Sequence, residues 1–166
     1  LIHLISLSFE RAAGLPLTHV PFRGVPPMMQ DLMAGQLDLA FLPLAGSMVA
    51  TMELGRMRPL GITAARPSPL FPKLATLAAG HPRFERFEFD AWGGLFVRRD
   101  APAPVLERLH RLWLDAVRDA DFVAWMRSTG SEPNPVLSLA DAQAFYVRET
   151  ARYTALLREF PDALPR

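Results

Sequence analysis

The sequence predicts an α/β fold: short extended segments alternating with helices, which implies parallel strands joined by right-handed crossovers in a three-layer sheet. Three observations lead there. Gly14, Gly35 and Gly55 stand 21 and 20 residues apart, a spacing that fits one helix, a turn, a strand and a loop. Each follows a helical stretch, where glycine takes the left-handed conformation at no steric cost. Each also precedes a short segment rich in strand-forming residues.

In chain order, helical character covers 6–13, 26–34 and 45–54, and extended character covers 17–20, 37–42 and 58–63. In the second helix Met28, Met29, Leu32 and Met33 share one face, and Pro26 and Pro27 sit in the first turn, where a missing N–H is no loss. The methionines read as core rather than as ligands. Leu37, Leu39 and Phe41 alternate with Asp38 and Ala40, as in a strand covered on both sides.

From 65 to 82 the chain is proline-rich, an irregular loop pinned by one helical turn within the apolar stretch 74–79. Residues 87–99 are aromatic and extended, and Gly93-Gly94 marks a bulge or a close backbone approach. A strand of this length can pass between two lobes. After Pro102 a helix carries Val105, Leu109, Leu112 and Ala116 as one stripe. Asp121 opens a short helix that Gly130 closes. Ser138 with Asp141 three residues later caps a final helix to about Arg158, with Leu139, Ala142, Phe145 and Tyr146 on its buried side.

Composition removes several function classes. The 166 residues carry 18 basic and 17 acidic side chains for a net charge of +1, and there is no basic stripe interleaved with aromatics, so nucleic acid is not an expected partner. No apolar run reaches the roughly 18 to 20 residues needed to span a bilayer. Cysteine is absent, which removes disulfides, thiolate nucleophiles and cysteine metal sites. The chain starts with Leu and has no leader pattern over its first nine residues, so it is expected to begin inside a longer protein.

A search for catalytic or metal chemistry finds little. His3, His19, His81 and His110 are scattered with no spacing that puts two on one helical face, so no metal site is expected. There is no nucleophile elbow, Walker loop or dinucleotide fingerprint, and no cofactor is expected. Asp38 and His19 are the only candidates for hydrolytic chemistry, and that reading requires them to meet within hydrogen-bond reach. What remains is the general geometry of open α/β sheets, in which ligands sit beyond the carboxyl ends of strands, against helix N-termini. Two loops fit that description, 21–26 and 42–47, and both suit a carboxylate. They read equally well as ordinary connecting turns.

At these loops the sequence resembles the Bug (TctC) family, periplasmic solute-binding receptors of tripartite tricarboxylate transporters. Residues 18–24, THVPFRG, resemble the family's THVPYKG, and residues 31–38, DLMAGQLD, its DLLGGQVD. Residues 55–63, GRMRPLGIT, resemble GKLRALAVT; ATLA at 75–78 resembles PTLA, WGGL at 92–95 resembles WFGL, and Ala101-Pro102 resembles the TP before a long helix. The resemblance runs in order along nearly the whole chain.

The family's architecture is that of type II periplasmic binding proteins, two α/β lobes with parallel or mixed sheets and flanking helices around a cleft. The resemblance implies that 1–89 form the second lobe, and that 90–166 supply a crossing strand and helices returning to an incomplete first lobe. Either the chain is a fragment, or it is a shortened member whose missing cleft wall a homo-oligomer supplies. The implied function is non-enzymatic: capture of a small organic acid in the periplasm and its delivery to membrane transporter subunits.

Carried over by position, the implied ligand contacts are Phe22, Arg23, Gly24, Val25 and Pro26, then Leu42, Pro43, Leu44, Ala45, Gly46 and Ser47, with Trp92 near the crossing between lobes. The sequence departs from the family at Phe22, usually tyrosine, at Val25, usually small or hydroxylic, and at Leu42 and Pro43, usually polar. Each lost charge-assisted hydrogen bond weakens carboxylate binding by about 1.5 to 3 kcal/mol, which favours a more apolar acid over a dicarboxylate or an amino acid. The alternative is a degenerate receptor whose apolar rim makes it a sensory or protein-interaction module.

Overall fold

A computed structural model describes residues 1–44, 46–132 and 135–161, and the backbone but not the side chain of Ser47. Its helices are α1 (Ile2–Ala13), α2 (Val25–Met33), α3 (Ser47–Glu53), α4 (Leu77–Gly80), α5 (Ala103–Arg118), α6 (Ala120–Ser128) and α7 (Leu139–Glu159), with a 3₁₀ turn at Pro82–Phe84.

The helix boundaries follow local chemistry. Gly14 ends α1 in the left-handed region at φ 68° and donates to the Glu10 carbonyl. The exposed last turn gains a second partner when Arg83 Nη1 donates to the Ala13 carbonyl at 3.0 Å, a cation placed on the negative end of the helix. Gly35 and Gly55 take the same conformation, at φ 74° and 67°. The opening of α6 comes two residues before the predicted Asp121: Asp119 is the cap, accepting from the Phe122 N–H at 2.9 Å. α7 begins as predicted, with Ser138 Oγ accepting from the Asp141 N–H at 3.1 Å.

The sheet is where sequence and structure part. Among the described residues the segments expected as strands form no ladder; one isolated parallel bridge joins Ile62 to Thr76. In it the Ile62 N–H donates to Ala75 and the Leu77 N–H to Ile62, both at 2.9 Å. Gly61 permits this approach, since a Cβ there would stand 3.1 Å from the Ala75 carbonyl oxygen. A strand is stable only beside a partner in register. Among the described residues 17–20 and 37–42 make no backbone–backbone hydrogen bond to another segment, and within 87–99 Phe89 alone makes one, to Thr63.

The buried core is small. Ile5, Phe87 and Phe89 form its centre, with Phe9, Ala12, Phe41, Leu77, Phe84, Tyr153 and Leu156 packed around them. Phe9 stacks on Phe84 at 5.3 Å between centroids, and Phe87 meets Phe89 edge-on at 5.0 Å. These contacts draw together α1, the 3₁₀ turn, the 87–89 segment and α7. Arg11 and Glu159 add a 2.8 Å ion pair between α1 and α7, and the Arg11 guanidinium lies 4.2 Å from the centre of the Phe160 ring.

Of the methionine face of α2, Met29 is buried and Met28, Leu32 and Met33 are partly buried. Of the stripe expected on α5, Leu109 is partly buried, and Val105, Leu112 and Ala116 are exposed. On α7, Leu139 and Phe145 are partly buried and Ala142 and Tyr146 are exposed, whereas Glu149 is buried. Burial of this carboxylate is offset by Arg152 one turn on, 3.6 Å away. The accessible surface totals 12339 Å², against about 8,200 Å² for a compact chain of this mass. Much of the excess is apolar: Leu60, Leu95, Phe96 and Trp125 are all more than half exposed.

Candidate functional site

Gly24 caps the N-terminus of α2 at φ 107° and ψ 176°, and no side chain caps that end. A helix leaves its first N–H groups without intrahelical partners. Here Pro26 and Pro27 have none to offer, so Gly24 and Val25 carry the donors. Phe22 and Val25 are partly buried beside them, and Arg23 is exposed.

The second loop is differently arranged. Leu42 and Leu44 are partly buried and Pro43 is exposed. Gly46, at φ 59°, precedes α3. Its N–H donates to the Thr129 carbonyl at 2.7 Å, so this amide is engaged at the end of α6 rather than free. Ala45 lies outside the described residues, as does the Ser47 side chain.

An open trough of about 2470 Å³ runs along the molecule and is lined by Leu42, Pro43, Leu44 and Trp92, but not by 22–25 or Gly46. Small-molecule sites usually enclose about 300 to 1,000 Å³, so this trough is wider than a ligand pocket. Trp92 is held in its wall by an edge-on contact with Phe145 on α7, 5.1 Å between centroids. The structure therefore brings one predicted loop and Trp92 to a common concavity and leaves the other loop apart.

The trough also holds cations that the sequence reading missed. Arg56, Arg58 and Arg66 line it, the first two from the GRMR run after α3, whose basic spacing was the available signal. At its other end Arg152 donates to the Glu88 carbonyl and pairs with Glu149. Tyr153 Oη reaches toward the Asp90 carbonyl at 3.4 Å.

Burial, with Glu88 and Glu149 nearby, raises the Asp90 carboxyl above its ordinary range, and Arg152 opposes them. Burial likewise raises the Tyr153 phenol, with Arg152 again opposing and Glu149 and Asp90 adding to the rise. His19, by contrast, is lowered by burial and then by His3.

His19 stacks on His3 at 3.9 Å, and among the described residues no hydrogen bond joins it to Asp38. No group of three or more His, Asp or Glu side chains there is placed to hold a metal ion. The trough offers guanidinium groups and an apolar wall, and the start of α2, apart from it, offers backbone donors; each is chemistry that suits an organic anion.

Residues 2–160 match the family described as the tripartite tricarboxylate transporter family receptor, TctC. A UPF0065 protein in the tcbD-tcbE intergenic region of Pseudomonas sp. strain P51 is 31% identical, covering 96% of this chain and 46% of that protein. An R. palustris protein solved with adipate superposes with a TM-score of 0.83 at 26% identity, covering 94% of this chain and 51% of that one. MatC from Rhodopseudomonas palustris, solved with malate, gives a TM-score of 0.77 at 26% identity, with coverage of 95% and 53%. The chain spans about half the length of each of these relatives.

Proposed function

The chain belongs to the tripartite tricarboxylate transporter receptor family, and from that premise we propose that it is the ligand-capturing half of a periplasmic receptor for a small organic carboxylate. The observation that carries this reading is the fold-wide likeness, at a TM-score of 0.83, to a protein solved with adipate. Residues 1–89 act as the second lobe, and 90–166 as the crossing strand and the helices that return to the first. The trough is the seat of the remaining lobe, in keeping with a chain about half as long as its relatives. The receptor passes its ligand to membrane transporter subunits and performs no chemistry on it.

The ligand is an acid with an apolar body. The contacts carried by the resemblance are Leu42, Pro43, Leu44, Ala45, Gly46, Ser47 and Trp92 on one side and Phe22, Arg23, Gly24 and Val25 on the other, the latter apart from the trough in this chain, with Gly24 and Val25 giving backbone donors. Support for the apolar body comes from the two prolines at the start of α2 and from the Gly46 N–H already engaged by Thr129. Both leave fewer donors for a second carboxylate.

The test is thermal stabilisation of the protein expressed from its complete reading frame, against a panel of mono- and dicarboxylates graded in apolar length. Stabilisation is expected to be largest for an apolar monocarboxylate. A panel without any shift overturns the capture role.

A second reading, an interaction module, is favoured by the exposed Leu60, Leu95, Phe96 and Trp125. It predicts association through the trough, either with a second copy or with another protein. Sedimentation separates the two, because a monomer with a ligand-induced shift supports capture, and a stable oligomer indifferent to carboxylates supports the module.

A further inference from the structure

The segment between Gly14 and Gly24 is held to the rest of the molecule by little. Its residues are mostly exposed, with Leu17 and Phe22 partly buried. Leu15 donates to Glu10 at 3.3 Å, and the backbone of 16–23 makes no hydrogen bond to other described residues. One defined side-chain contact does tie it down. The His19 ring stacks on the ring of His3, in the first turn of α1, with centroids 3.9 Å apart and planes 13° from parallel.

Two histidines in contact suggest either a metal or a proton. Metal binding uses lone pairs in the ring plane, and in nearly parallel stacked rings those lone pairs run side by side instead of converging on one ion. Protonation fits the geometry. Imidazole is the side chain that changes charge between pH 5 and 8, and a neutral ring stacks well on either a neutral or a charged partner. Two imidazolium rings face to face repel.

We propose that His3 and His19 form a proton-sensitive clasp, closed while at least one ring is neutral and open when both are charged, so that pH sets the pose of the 21–24 turn leading into α2. The charged groups of the neighbouring elements are Glu10 and Arg11 on α1 and Arg23 in the turn, and Asp38, Arg56 and Arg58 share the trough lining with His3. None of them is among the causes that lower His19, which are burial and His3. The consequence for ligand capture rests on the proposed role of Gly24 and Val25, whereas the clasp itself does not.

The test is a pH titration of the full chain by NMR without ligand, following the two imidazole C2–H signals and the backbone amides of 17–24 between pH 5 and 8. In the wild type the amides are expected to move with the histidine titration. His3→Gln is expected to shift the His19 midpoint upward. His3→Phe keeps an aromatic partner without a charge, and is expected to raise the same midpoint while leaving the amides flat. Circular dichroism at pH 8 verifies that each variant folds.

An unchanged His19 midpoint in both variants, or wild-type amides that ignore pH, overturns the clasp. Because no ligand is present, either result leaves carboxylate capture to be judged on its own test.

Discussion

Thr63 and Phe89 hold each other by two hydrogen bonds. The Phe89 N–H donates to the Thr63 carbonyl at 2.8 Å, and Thr63 Oγ1 donates back to the Phe89 carbonyl at 2.6 Å. The pairing fixes the segment carrying Phe87 and Phe89 at the point where it enters the core. Thr63→Val removes the hydroxyl bond at nearly constant volume and is expected to destabilise the fold by about 1 kcal/mol, read as a lower denaturation midpoint. Thr63→Ser, which keeps the donor, is expected to lose less.

Phe87 touches Phe9, Phe41, Phe84 and Phe89 and is 5% exposed. With so few buried residues, its truncation has no second core to fall back on. Phe87→Ala is expected to cost about 3 to 5 kcal/mol, and a denaturant curve gives the value. Phe87→Leu, which fills more of the cavity, retains part of it.

Asp90 sets a pH dependence whose sign follows from its surroundings. Its carboxyl is raised above 3.8 by burial, Glu88 and Glu149, so the folded state prefers the protonated form. That preference contributes fully below 3.8 and is lost as pH rises through the elevated value. At neutral pH the charged form is therefore unfavourable. Asp90→Asn is expected to raise the melting temperature at pH 7 by a small margin, since exposed charges are screened. Melting curves at pH 3 and pH 7 check this, because the gain should disappear at the lower pH.

Pro26 withholds a donor from the start of α2. Pro26→Ser returns an N–H there and adds a hydroxyl, and one charge-assisted hydrogen bond contributes about 1.5 to 3 kcal/mol. Affinity for adipate or malate, measured by calorimetry on the complete receptor, is expected to rise by roughly tenfold to a hundredfold. Unchanged affinity would remove the 22–26 turn from the binding surface.

The helices were legible because their signals are local. Ser138 and Asp141 lie within one turn of each other and announce α7 without reference to anything else, and the same holds for Gly14 and Gly55. The strands were not, since a pattern such as Leu37, Leu39 and Phe41 states only that a segment is suited to a ladder. The partner is supplied by distant chain, and among the described residues only the Ile62–Thr76 bridge and the Thr63–Phe89 pair link the expected strands to distant chain by backbone hydrogen bonds.

Glu149 shows a related limit. It lies seven residues after Ala142, on the face read as apolar, and it is buried there beside Arg152 whereas Ala142 and Tyr146 are exposed. Periodicity finds the face but not which of its turns meet a neighbour. For the proposed site, motif order pointed to Leu42 to Leu44 and Trp92, which line one trough, and equally to 22–25, which do not line it. The bond from Gly46 to Thr129 crosses a span of sequence that no motif encodes.

The packing of α7 onto α1 has a consequence for how the chain acquires its fold. Arg11 and Glu159 meet across 148 residues, and Tyr153 and Leu156 complete the cluster around Ile5 and Phe87. Contacts of such separation carry a loop-closure cost before they return any stabilisation, and they slow folding. During synthesis α1 emerges long before α7, so the face of α1 that meets Tyr153 and Leu156 lacks that cover until α7 has been made. Closure of this core therefore waits on α7, and truncations within α7 should leave a chain that engages chaperones instead of closing it.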